Sequence, residues 1–356
     1  MSAPEPSSAG VDDLARAHGE PLFRAGFRAA ASHFQVSEEL GFEPSGEGEH
    51  DYLYIEKVDA NTDWVARQLA RAAGVRPVDV GYAGRKDRHA VTRQWFSVRT
   101  VGKVVDWSAL DIEGVAVLEA TRHDRKLRRG AHRANRFRIV LVDVTPHDFA
   151  ALVARVDRIR ELGVPNYFGP QRFGRDNLGL ARSLFAGRRL RRNEQSLALS
   201  AARAGLFNAI LDARVRTGSW DRLVEGELAN LDGTGSVFPV AEVDEALEQR
   251  VRRHDLHPTA SLWGSVASRR VTGQAESLEA AAVERLAELR SGLETAGLDT
   301  GQRPCRVVPG ELVVLARPGE LTLGFALPAG AFATSVFREL GEIDDRSNAQ
   351  SRSSRT

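Results

Sequence analysis

The chain has 356 residues, 42% of them hydrophobic, and sets 49 Lys and Arg against 48 Asp and Glu for a net charge of +1. That length favours two modest cores over one, and the charge balance excludes a polybasic tail and gives no global sign of a nucleic-acid partner. A single cysteine, Cys305, excludes an intramolecular disulfide and a thiolate metal cluster, and no apolar run is long enough to span a bilayer, so a soluble protein of a reducing cytoplasm is expected.

Met1 to Gly10 is rich in Ser, Pro and Ala without the basic-then-apolar layout of a signal peptide, and Ser347 to Thr356 has no apolar anchor; both ends are expected to be disordered. Phe34–Val36 and Asp51–Glu56 read as strands joined through the turn-rich Pro44–Gly48, which suggests a hairpin. Its Gly-x-Gly has no strand leading into it and no helix after it, so it is not a nucleotide cradle. Asn61 or Thr62 then caps a helix that turns Trp64, Val65 and Leu69 inward, with Gly74 at its C-terminal end. Val78–Ala83 and Ala90–Val98 are strands around a polar loop, Gly84–His89. Another strand, Arg138–Val144, precedes Thr145-Pro146, an N-cap and first-turn proline; Phe149, Leu152, Val156 and Ile159 share the face of the helix that follows, and Gly163 ends it. From about Gly163 to Gly310 the pattern is largely helical, with an Ala-rich helix around Leu199–Val215 and a stripe of Leu278, Ala282, Leu286, Leu289 and Leu293. Strands return at Leu312–Ala316 and at the alternating Leu321, Leu323, Phe325 and Leu327, and a short helix spans Ala331–Leu340. β-rich ends around a helical middle suggest an inserted domain.

Two charge features stand out. Between Arg122 and Arg138, eight bases (Arg122, Arg125, Lys126, Arg128, Arg129, Arg133, Arg136 and Arg138) meet one acid, Asp124. With Asn135 and Phe137 at a strand entrance, this fits phosphate contacts beside an aromatic that stacks on a base; a second cluster, Arg188, Arg189, Arg191 and Arg192, supports a two-domain grip. In Gly84–His89, Asp87 sits among cationic neighbours that favour an ionised carboxylate, suited to a nucleophile or an electrostatic stabiliser. The same pattern fits an ordinary turn aspartate paired with arginine, and spacing does not choose between them. No P-loop, His-Glu-x-x-His or Gly-x-Ser-x-Gly motif occurs, and His254 and His257 lack company suited to a metal.

Five segments in order, Leu40–His50, Gly84-Arg-Lys-Asp-Arg-His-Ala-Val-Thr-Arg-Gln-Trp95, Arg122–Gly130 with Asn135 and Phe137, Val164–Gly174 and Pro328–Ser335, resemble the TruD family of tRNA pseudouridine synthases across about Gly26 to Gly341. The resemblance implies an isomerase that converts uridine to pseudouridine at position 13 of tRNA, in the cytoplasm, without cofactor or metal and with tRNA as the partner; no membrane or protein partner is implied, and a monomer is expected. It implies an α+β fold: a pseudouridine-synthase catalytic domain of mixed, mostly antiparallel sheet and flanking helices over 26–162 and 311–342, an inserted, mainly helical TRUD domain over 163–310, and disordered ends over 1–25 and 343–356. By the same resemblance Asp87 is catalytic. Phe34, Asn135 and Phe332 contact substrate, Phe137 is the aromatic near the site, and Arg28, Lys86 and His89 join them. Arg122, Arg125, Lys126, Arg128, Arg129 and Arg133 are the expected phosphate binders. Arg28 stands where the family usually has lysine, and as a broader, planar cation it makes a different contact. A non-catalytic RNA-binding or RNA-chaperone protein is the competing reading.

Overall fold

A computed structural model describes residues 13–146, 148–265 and 270–347; the expected disorder of Met1–Gly10 and of 348–356 lies outside them. The chain divides into two compact units. The sheet unit comprises 21–156, 309–330 and 340–347, and the helical unit 13–20, 157–308 and 331–339.

Strands β1 (Arg24–Phe27), β2 (Phe34–Leu40), β3 (His50–Val58), β4 (Val80–Tyr82), β5 (Val91–Arg99), β6 (Val115–His123) and β7 (His132–Val142) form one sheet with Gly310–Arg317, Glu320–Pro328 and Glu342–Asp345. Among the described residues it has ten strands, and its main path runs Gly310–Arg317, Glu320–Pro328, β7, β2, β5, β3, β6. Pairing is antiparallel except for β2 with β5 and β1 with Glu342–Asp345. No β2–β3 hairpin forms, because β5 lies between them and takes β3 on one edge and β2 on the other. Gly46 and Gly48 instead turn the chain with positive φ beside the end of β6; a Cβ on Gly48 would lie 2.5 Å from the Asp124 backbone.

Alternation along β3 sets the two faces of the sheet. Leu53 and Ile55 pack with Phe96 and Val98 of β5 under helix α1 (Thr62–Ala72), which buries Val65 and Leu69 as expected and leaves Trp64 half-buried. Tyr52 and Tyr54 point the other way, against Trp95. Helix α2 (Phe149–Leu162) buries Leu152, Val156 and Ile159, but Phe149 is exposed. Its first-turn amides are met by Asp148, which accepts from Ala150 and Ala151, and not by Thr145, whose hydroxyl accepts from Arg24.

The helical unit packs Asn177–Phe185, Arg192–Arg216 and Ala287–Thr295 around Tyr167, Phe168, Phe207 and Ile210. It is less purely helical than its composition suggests, since three small sheets lie within it. The predicted leucine stripe is broken: one helix ends at Ala282 and another begins at Ala287, so Leu286, Leu289 and Leu293 are buried from a second segment.

The expected domain limits shift in several places, and 157–162, expected in the sheet domain, fall in the helical unit. Residues 13–25 are ordered, with Leu14, Ala15 and Ala17 against the helical core and Arg24–Phe27 in the sheet. At the other end Glu342–Asp345 is a strand beside β1, so order continues past 342. Ala331–Glu339, expected in the sheet domain, belongs to the helical unit because Ser335 donates to the Tyr167 carbonyl and Phe332 packs edge-on against Phe168.

Candidate functional site

One edge of β5 is shared by two strands. β2 pairs with it over Val91–Arg93 and β4 over Phe96–Val98, and the edge opens between them at Gln94 and Trp95. The loop Ala83–Ala90, which leaves β4 and re-enters β5, fills that opening. Glu38, near the end of β2, accepts the Trp95 amide at 3.2 Å. The buried Gln94 side chain donates to the Gly84 carbonyl at 3.1 Å. Thr62 donates to Gln94 Oε1 at 2.9 Å and accepts the Lys86 amide at 3.0 Å. Its hydroxyl, expected as a helix cap, is diverted to the loop, and Asn61 occupies the N-cap position without a side-chain bond.

Asp87 is held at the surface of this arrangement, with 38% of its side chain exposed. Its carboxylate meets Arg28 Nη1 at 3.4 Å, and the buried Arg28 also pairs with Asp345. Arg28 has φ +57°, a left-handed conformation that costs a non-glycine residue about 1–2 kcal/mol. The cation at Asp87 therefore comes from outside its loop. Its sequence neighbours serve other acids: Arg85 pairs with Asp63, Lys86 with Glu38, and His89 with Asp59 at 3.3 Å, while Arg88 donates to the Asp59 carbonyl.

Lys86, expected at the substrate, is buried under the loop. Its Nζ lies 2.5 Å from Glu38 Oε2, with side chains 7% and 0% exposed, so the ammonium is committed to a buried pair. Beyond Glu38 in register lies Asn135 of β7, which is buried. Its Nδ2 is 3.2 Å from His132 Nε2, and its Oδ1 is buried without a partner among the described residues. Burial and the nearby Lys86 hold His132 below the usual histidine range. An orphaned acceptor next to a neutral imidazole suits the N–H of an incoming polar ring.

Phe34 and Phe137 share the face that carries Glu38 and Asn135. Both are buried, stacked on each other at 6.2 Å, and Phe137 also stacks on Phe325 at 5.4 Å. Phe137 is thus occupied by protein neighbours, and a base would have to displace one of them to stack on it. Phe332 lies in the helical unit, edge-on to Phe168, with Arg172 over both rings at 5.3 and 6.0 Å. Arg303 stacks on Phe168 at 4.2 Å, and burial with the neighbouring Arg172 pulls it down to about 9. The sequence singles out neither arginine, although Arg172 falls inside the Val164–Gly174 segment.

The basic tract is less open than its count suggests, because strand pairing brings acids that sequence order hides. Arg133 and Arg136 pair with Glu39, and Arg136 also with Glu311. Arg122 donates to the Gly48 carbonyl and Lys126 to that of Val78. Arg129 stacks over Tyr82 at 4.0 Å and donates to its hydroxyl. Arg125 pairs with Asp124 but is 83% exposed, and Arg128 is exposed with no side-chain partner among the described residues. Arg188, Arg189, Arg191 and Arg192 are all exposed. Among the described residues no three His, Cys, Asp or Glu side chains group so as to hold a metal ion, and no helix is long and apolar enough to cross a membrane.

Comparison with known proteins bears on this site. A family model described as tRNA pseudouridine synthase D (TruD) matches residues 18–179 and 183–340. A tRNA pseudouridine synthase D of Methylococcus capsulatus is 50% identical over 345 residues, covering 95% of this chain and 97% of its own. One from Aeromonas salmonicida is 45% identical over 341 residues, with 94% and 96% covered. In fold, the chain is similar to a crystal structure from Methanosarcina mazei described as a candidate tRNA pseudouridine synthase D, with a TM-score of 0.70 over 96% of this chain and 98% of that one at 19% identity.

Proposed function

This chain belongs to the tRNA pseudouridine synthase D family, and on that premise we propose that it isomerises uridine to pseudouridine in tRNA, at position 13, with Asp87 as the catalytic carboxylate. The supporting observation is the placement of Asp87: a half-exposed carboxylate beside the buried Arg28, on a loop fixed from beneath by buried polar side chains.

The chemistry moves one bond. The N1–C1′ bond of uridine breaks and leaves its electron pair on N1, uracil turns within the site, C5 bonds to C1′, the C5 proton leaves to solvent, and N1 takes up a proton. Asp87 either attacks C1′ and is later displaced, or takes the C2′ proton to give a glycal and returns it. A stacked uridine hides C5, so the nucleotide has to leave its stack at a cost of a few kcal/mol. In the helical unit, Phe332 with Arg172 over its ring offers a face on which an unstacked base of the tRNA can stack, worth roughly 1–3 kcal/mol. The unpaired Asn135 Oδ1 accepts from uracil N3–H, which keeps the detached base from diffusing away.

Tritium release from tRNA labelled with [5-³H]uridine separates isomerisation from RNA binding without chemistry, since only the former exchanges the C5 hydrogen. Asp87→Asn is expected to keep tRNA affinity and abolish release. Turnover within tenfold of wild type would remove Asp87 from the chemistry, and sequencing the product RNA locates the modified position.

A further inference from the structure

Lys57 is one of two lysines, with Lys103, that neither the motif loops nor the family resemblance brings forward. On β3 it follows Leu53 and Ile55 on the apolar face, and its side chain is 0% exposed. Its Nζ donates to the Ala60 carbonyl at 2.7 Å and to the Asp87 carbonyl at 2.8 Å. Among the described residues it makes no ion pair. A buried ammonium that meets only backbone oxygens is an expensive way to end a strand, and an apolar residue in its place would extend the Leu53–Ile55 face. Burial pulls its pKa down to about 8, with Lys86 adding to the depression while Asp87 and Asp59 oppose it.

We propose that Lys57 is a positioning residue for the isomerisation: its ammonium pins the Asp87 peptide carbonyl from inside the sheet and thereby fixes where the Asp87 carboxylate meets the ribose. Three consecutive polar anchors then hold the loop, Gln94 at the Gly84 carbonyl, Thr62 at the Lys86 amide and Lys57 at the Asp87 carbonyl. Lys57 acts on the reacting residue itself. Releasing its bond frees the peptide that carries the carboxylate, and a displacement of about 1 Å at a reacting group can cost on the order of 100-fold in rate.

The proposal rests on the reading of Asp87 as catalytic, and its test separates the two. Single-turnover pseudouridine formation with enzyme in excess, and tRNA affinity, are measured for wild type, Lys57→Met and Lys57→Gln. Expected is a rate at least 100-fold lower for Lys57→Met with affinity within twofold of wild type, and recovery of at least tenfold in Lys57→Gln, which restores one donor. An active wild type with Lys57→Met within fivefold of it overturns the proposal. So does a rate that falls only in step with tRNA affinity, which marks a merely structural residue. If Lys57→Met does not fold, Lys57→Gln is judged by the same split between rate and affinity. A wild type that forms no pseudouridine overturns the reading of the function instead.

Discussion

The buried pair of Lys86 with Glu38 gives a prediction whose size follows from burial. Glu38→Gln keeps an oxygen for the Trp95 amide but leaves the Lys86 ammonium, 7% exposed, without its carboxylate. Breaking a buried pair from one side costs about 3–5 kcal/mol, because the charge left behind is still out of water. This amounts to a fall in the sheet unit's melting temperature of about 6–20 °C. Urea unfolding followed by fluorescence reads the loss, since Trp64, Trp95 and Trp107 all lie in this unit. Glu38→Gln combined with Lys86→Met removes the stranded charge and should recover most of the loss. A Glu38→Gln cost below about 1 kcal/mol, or no recovery in the double variant, would falsify the account of the pair.

Three further outcomes follow from the structure. Neutralising the open Arg128 together with Arg125 should flatten the dependence of log affinity for tRNA on log salt by about 0.7 for each single-strand phosphate no longer neutralised, whereas Arg133→Ala should leave the slope unchanged, because Glu39 already neutralises it; equal slopes for all the variants would place the tract outside the interface. Gly48→Ala sets a Cβ 2.5 Å from the Asp124 backbone at φ +118° and should cost at least about 1–3 kcal/mol by thermal unfolding; a stable variant would show that this turn is free to move. Lys57, held at about 8 against an ordinary 10.5, leaves the unfolded chain with the extra proton between those values, so wild type should gain about 3 kcal/mol relative to Lys57→Met as pH rises from 7.5 to 10.5; parallel stability curves would rule this out.

The local elements are largely legible in the sequence, because alternation and helical periodicity are carried by neighbours along the chain. Leu321, Leu323, Phe325 and Leu327 are all buried along one strand face, and Gly163 ends its helix at φ +80°. Register is what the sequence does not carry. The partners of the basic tract, Glu39 and Glu311, come from strands far off in the chain, so a count of eight bases to one acid overstates the free charge. The same holds for Asp87, whose cation is Arg28 and not its own loop. Thr62 reads as a cap because capping is the local use of a threonine, while its partner Gln94 lies 32 residues on. Lys57 does leave a trace: a charged residue at the position two beyond Ile55, where the apolar alternation calls for another hydrophobic side chain, in a chain with only four lysines.

The closure of Arg28 on Asp345 also fixes an order of assembly. The two residues lie 317 positions apart, and translation at about 5–20 residues per second separates their appearance by roughly 15–60 s. Throughout that interval β1 lacks its parallel neighbour and Arg28 lacks the acid that holds it toward Asp87. A nascent or C-terminally truncated chain can therefore display the basic tract while the guanidinium beside Asp87 is unanchored. On the proposed role of Asp87, a chain cut before Asp345 is expected to bind RNA without modifying it.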